Sequence, residues 1–208
     1  MVTDGTQPSS GDDDALVARV GAAALAGVHL VQIREPHLEG AALRALVERC
    51  VDAVRMTRTR IIVNDRLDVA LAAGAHGVHL RGDSMPAARV RRVTPPGFLV
   101  GRSVHDATEA AGAAEQGGVD YLIFGTVFAT PSKPDRQVAG VSGLGAAVAA
   151  TAVPVLAIGG ITRERLSEVS RTGAAGWAAI RLFNAPVETL QLILQQASLA
   201  FDTPEAAP

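Results

Sequence analysis

Short β-branched runs alternate with longer stretches of helical period along almost all of these 208 residues. The runs at residues 29–34, 60–63, 77–80, 99–102, 121–124, 155–158 and 177–180 read as strands, being brief and rich in Val, Ile, Leu, Phe or Trp. Between them, residues 13–26, 39–55, 67–73, 86–93, 106–116, 142–150, 163–170 and 186–201 carry Ala, Leu, Arg and Glu at helical spacing. Strand, helix and strand again, with short connections, makes a parallel sheet clad in helices. Repeated around the chain, the pattern predicts an α/β fold, a (β/α)8 TIM barrel, as a single compact domain over residues 1–208. The eighth strand must precede the first helix, and only Met1-Val2-Thr3 is available for it. The first strand is therefore expected to be shortened, either as a native stub or through a truncated N-terminus. An open doubly wound sheet is the competing arrangement, but no G-x-G-x-x-G follows the first strand.

Boundary residues agree with this scheme. Asp12, Asp13 and Asp14 stand where a helix N-terminus attracts negative charge. Pro86 suits a first helical turn, and Ser84 or Asp83 is expected to cap it. Residues 6–14 read as the first loop after a strand, and residues 202–208 as a frayed tail. With 48% hydrophobic but only 3% aromatic residues, the core must be built from Ala, Val, Leu and Ile. A formal net charge of −2 gives no reason to expect nucleic acid or an anionic membrane as a partner. The one cysteine, Cys50, follows Leu46 and Val47 in a helical pattern and reads as core. A lone cysteine, with no membrane-length apolar run and no signal peptide at the start, points to the cytoplasm. Small molecules are the expected partners, with a homo-oligomer possible.

In such a barrel the active site lies where the strands end, and nearly every strand exit here is polar. Gln32 and Arg34 alternate with Val31 and Ile33, so they share one face of their strand. An Arg on an inner face requires an anion, or a carboxylate such as Asp4 or Asp65. Asn64-Asp65 ends the next strand, where Asp65 could hold Mg²⁺ or simply cap a helix. Thr130-Pro131-Ser132-Lys133 offers two hydroxyls and the chain's single lysine as an anion clamp, or is an ordinary solvated loop. Gly159-Gly160 precedes a helix start, where bare backbone N–H groups can approach a phosphate, or is merely a tight turn.

Taken in order, Val31-Gln32-Ile33-Arg34-Glu35, Val63-Asn64-Asp65, Gly77-Val78-His79-Leu80, Gly101-Arg102-Ser103-Val104-His105, Thr130-Pro131-Ser132-Lys133 and Ala157-Ile158-Gly159-Gly160-Ile161 resemble the thiamine phosphate synthase and thiazole tautomerase superfamily. The synthase branch implies that a hydroxymethylpyrimidine pyrophosphate loses pyrophosphate while a thiazole phosphate nitrogen attacks its methylene. By this resemblance Gln32, Arg34, Asn64 and Lys133 would bind the pyrophosphate, and Asp65 would bind Mg²⁺. His79 and Ser103 would line the pyrimidine side, and Thr130 and Ser132 would position the thiazole phosphate. The backbone at Gly160 and near Ile180 and Arg181 would hold that phosphate. Arg34, Lys133 and Ser103 are the catalytic candidates. Two positions depart from the synthase pattern: Pro36 replaces a lysine, and Ser84 replaces a second metal aspartate, with Asp83 one step early. The tautomerase branch would place a catalytic His at position 126, where this chain has Thr126. A thiazole tautomerase and a catalytically weak thiazole-phosphate binder are the alternatives to the synthase.

Overall fold

The computed structural model describes residues 1–5, 13–130 and 138–202. Among them, seven parallel strands form one sheet in sequential order. The strands are β1 (Leu30–Ile33), β2 (Arg60–Asn64), β3 (Gly77–Leu80), β4 (Leu99–Val104), β5 (Tyr121–Phe124), β6 (Val155–Ile158) and β7 (Gly176–Ala178). The helices are α1 (Asp13–Leu25), α2 (Gly40–Val54), α3 (Leu67–Ala72), α4 (Ala87–Arg91), α5 (Ala107–Gln116), α6 (Gly140–Ala149), α7 (Leu166–Ser170) and α8 (Val187–Asp202). Sequential pairing without a reversal curls the sheet into a half-barrel rather than a doubly wound layer. Residues 1–3 reach both of its edges. The Val2 N–H donates to the Ala179 carbonyl just past β7 at 3.0 Å, and the Gln32 N–H of β1 donates to the Met1 carbonyl at 2.9 Å.

The two faces of the sheet have different occupations. Val31, Ile33, Ile61, Val63, Val78, Leu80 and Val100 point outward and pack with apolar residues of α1 to α4. Leu122, Phe124, Val155 and Ala157 do the same against α5 to α8. Burying each Val, Leu, Ile or Phe among them contributes ~1.5–3 kcal/mol. Cys50 is fully buried in α2, and burial pushes its thiol up to about 12, as befits a core residue. The alternate strand residues face inward: Gln32, Ile62, His79, Gly101, Tyr121, Ile123 and Leu156 stand in neighbouring registers across β1 to β6.

Several boundaries differ from expectation for local reasons. The helix expected at 163–170 opens as a 3₁₀ turn, Arg163–Arg165, before α7. Neither Ser84 nor Asp83 caps α4: Pro86 holds the cap position without a side-chain bond, and both polar residues have ionic partners elsewhere. At α5, by contrast, Asp106 accepts the Glu109 N–H at 2.8 Å, a regular N-cap. The loop expected from residue 6 falls largely, and the frayed tail almost wholly, outside the described residues.

One inner contact sets the shape of the concave face. His79, Gly101 and Tyr121 are register neighbours on β3, β4 and β5. A Cβ at Gly101 would lie 2.2 Å from the Tyr121 ring, so the missing side chain lets that ring cross the strand. Tyr121 thereby stacks on His79, with centroids 5.7 Å apart. Gly101→Ala is expected to lose about 1–3 kcal/mol in urea unfolding. Gly21→Ala in α1, where a methyl meets nothing within 4 Å, should be neutral or gain up to ~1 kcal/mol.

Candidate functional site

A polar belt crosses the inner face where β1 to β4 end. Gln32 Nε2 donates to Asn64 Oδ1 at 2.9 Å. His79 Nε2 lies 2.9 Å from Ser103 Oγ. Each pair joins side chains from adjacent strands, so ladder register rather than loop conformation fixes their positions. His79 is only 2% exposed, and burial lowers its pKa to about 4. The imidazole is therefore neutral at pH 7. Tyr121, which was not among the expected site residues, stacks on that ring and completes the belt. Arg34 lies one residue past β1 and is exposed, while its backbone N–H donates to Thr3 Oγ1 at 2.8 Å.

The exits of β2 and β3 form a second cluster. Asp65 has φ 59°, a left-handed conformation uncommon outside glycine and Asn/Asp. It does not cap α3, whose N-cap is Arg66 without a side-chain bond. Instead the Ser84 hydroxyl donates to Asp65 Oδ1, and Arg81 Nε stands 3.6 Å from Asp65 Oδ2. The same guanidinium takes both oxygens of Asp83, at 3.0 and 2.8 Å. Arg102 of β4 fastens this loop from behind, donating to the carbonyl of Gly82 at 2.6 Å and of Met85 at 3.2 Å. The two expected metal carboxylates thus meet around an arginine. Among the described residues, no group of three or more His, Cys, Asp or Glu is arranged to hold a metal ion.

The exits of β5 and β6 are laced together. The N–H groups of Val127 and Phe128 donate to the carbonyls of Ile158 and Gly159, both at 3.0 Å. Gly160 has φ 61°, and a Cβ there would lie 2.6 Å from the Ala129 carbonyl oxygen. Only glycine fits that approach. Arg165 covers the turn, its guanidinium 4.1 Å above the Phe128 ring. Past β7, Ile180 is half-buried and exposed Arg181 opens the 3₁₀ turn Arg181–Asn184. Thr126 is buried after β5, and Thr130 closes the described part of that loop. Ser132 and Lys133 lie outside the described residues. His105 is engaged locally, its Nδ1 3.0 Å from Glu109 of α5. A cavity of about 490 Å³ borders Gln32 and Tyr121 but runs toward the opposite ends of the strands, beside α8. The polar chemistry is at the exits, and the site is placed there on that ground.

A family model described as thiamine monophosphate synthase matches residues 1–183. The chain belongs to this family. Among relatives in the thiamine monophosphate synthase family, a thiamine-phosphate synthase of Methanoculleus marisnigri is 41% identical over 159 residues, covering 76% of this chain and 75% of that one. A thiamine-phosphate synthase of Chloroflexus aurantiacus is 38% identical over 194 residues, covering 91% and 88%. The solved thiamine phosphate pyrophosphorylase of Pyrococcus furiosus superposes with a TM-score of 0.79 at 29% identity, over 97% of this chain and 93% of that one.

The buried histidine of this family member makes a pH prediction. An unfolded chain binds a proton at His79 below about pH 6.5, whereas the folded chain resists until about pH 4. Stability is therefore present above pH 6.5 and is lost as pH falls toward 4, by up to about 3 kcal/mol. His76, whose pKa burial also lowers, acts in the same sense. Urea midpoints measured from pH 7 to pH 4 should fall, and His79→Gln should fall less steeply.

Proposed function

We propose that this chain is a thiamine-phosphate synthase, a transferase of thiamine biosynthesis that joins a pyrimidinylmethyl group to a thiazole nitrogen. The observation that carries the reading is the polar belt Gln32–Asn64 and His79–Ser103 at the strand exits of a chain in this family. In the reaction, the bond between the pyrimidine methylene and the pyrophosphate oxygen breaks, and the electron pair leaves with pyrophosphate. The thiazole nitrogen then supplies the pair for the new C–N bond.

The work of this chain is to hold two anions and tolerate a cation between them. Gln32, Asn64 and the exposed Arg34 would take the pyrophosphate, joined by Lys133. Neutral His79, with Ser103 and Tyr121, would line the pyrimidine. An uncharged ring does not oppose positive charge developing on the methylene, as an imidazolium would. Gly160 and the turn at Ile180 and Arg181 would hold the thiazole phosphate with Thr130 and Ser132. Residues 1–3, bonded to β1 and to Ala179, would serve as the eighth strand of a (β/α)8 barrel.

Asp65 and Asp83 do not fit a resident divalent site, because Arg81 stands between them. Mg²⁺ would instead arrive as the counter-ion of the substrate pyrophosphate, with Asp65 the carboxylate nearest to it. A cytoplasmic setting suits the lone buried thiol of Cys50. A thiazole tautomerase would need a base where buried Thr126 stands, and a hydroxyl is not basic at neutral pH.

The deciding assay combines the purified protein, hydroxymethylpyrimidine pyrophosphate, thiazole phosphate and Mg²⁺. Thiamine phosphate formed at enzyme-like turnover is expected; no product, with thiazole phosphate still bound in calorimetry, would reduce the chain to a binder. Arg34→Ala should keep its urea midpoint, since the side chain is exposed. It should lower kcat/KM for the pyrophosphate substrate by about 10²-fold.

A further inference from the structure

The loop after β3 carries a cation for which the family resemblance gives no role. Arg81 makes a two-point pair with Asp83 and stands 3.6 Å from Asp65, while its backbone N–H donates to Ser84 Oγ at 2.9 Å. Ser84, at the position of the second metal aspartate, in turn donates its hydroxyl to Asp65. One arginine therefore occupies the space between two carboxylates that a divalent cation would need. Arg102, pinned behind the loop by three backbone carbonyls, adds a second positive charge. Two arginines set against Asp65 and Asp83 leave the exit near neutrality, so little field remains to draw free Mg²⁺ from solution. The Arg81 side chain is 59% exposed, and its Nη1 makes no hydrogen bond among the described residues. A guanidinium with one edge spent on a carboxylate still presents another to an oxyanion.

We propose that Arg81 is a pyrophosphate-binding residue that replaces a resident metal, so that this chain binds pyrophosphate without first loading a divalent cation. The identity of the anion rests on the synthase reading above. The substitution of Ser84 for an acid and the presence of Arg81 then belong together: losing the second metal carboxylate removes a ligand, and the arginine restores positive charge at the same exit. Asp83 holds the guanidinium in place rather than serving a metal, and Asp65 faces the same Nε edge, which leaves Nη1 to the anion.

The test is calorimetry of inorganic pyrophosphate with the full chain, in EDTA and in excess Mg²⁺. The wild-type chain should bind in EDTA. Arg81→Gln should weaken that binding by at least about tenfold, and Arg81→Lys should recover part of it. Circular dichroism establishes that each variant is folded. Mn²⁺, followed by paramagnetic resonance, should not bind the wild-type chain alone, whereas Ser84→Asp with Arg81→Gln should create a Mn²⁺ site. Pyrophosphate binding that requires Mg²⁺, an Arg81→Gln variant equal to wild type in EDTA, or tight Mn²⁺ binding by the wild-type chain would each overturn the proposal. Thiamine phosphate formation separates the two readings. Product from a chain that needs Mg²⁺ to bind pyrophosphate defeats this inference and leaves the synthase standing. No product from a chain that binds pyrophosphate in EDTA through Arg81 does the reverse.

Discussion

A strand buried on both sides must divide its side chains between two neighbours, and here the division is by function. The outward residues of β1 to β6 meet helices and are almost entirely Val, Ile, Leu, Ala and Phe. The inward residues need not fill the interior completely, because a ligand must enter it. Polar side chains can therefore stand at the inner ends of the strands, provided that each finds a partner on the next strand. The pairs Gln32–Asn64 and His79–Ser103 satisfy that condition across the ladder. His79, held in this way and buried, is neutral.

Burial and charge act differently at the two halves of the site. Around His79 water is excluded, the ring loses its proton, and shape is set by Gly101 and Tyr121. At the exits of β2 and β3 the charged groups are half-buried or exposed and paired with one another. On the proposed reading the first region would take the flat, transiently cationic heterocycle, and the second the multiply charged leaving group. This difference in polarity would then separate the reacting centre from the anion it releases.

Much of this was legible in the sequence. Residues 77–80, 121–124 and 155–158 are strands with the expected bounds, because each is a short apolar run with a turn signal on either side. Gln32 and Asn64 were expected at neighbouring strand ends as separate anion ligands, and their bond to each other was not legible. The Tyr121–His79 stack was not legible as a contact. It depends on a register that sets a glycine between two rings, and register is a property of three strands at once. Nor was the fate of Asp83 and Ser84. As isolated residues they read as helix caps, but a nearby guanidinium and carboxylate offer charge-assisted bonds that a backbone N–H cannot match. Asp65 hid its role in a positive φ that composition does not reveal. The helix expected to start at Arg163 tightened into a 3₁₀ turn, a difference of hydrogen-bond pitch below the resolution of any periodicity.

The alternation of faces has a consequence for how such a chain can change over time. Because the residues that hold the sheet to its helices are not the residues that meet the ligand, drift on one set scarcely touches the other. Exchanging Ser for Asp, or Gly for Arg, at a strand exit alters what is bound while the packed layer between sheet and helices stays as it was. A lineage can thus try new ligands at the mouth of the same scaffold without passing through unfolded intermediates. Chains of this architecture that bind different ligands should differ most at the strand exits, while chains that share a ligand should keep them.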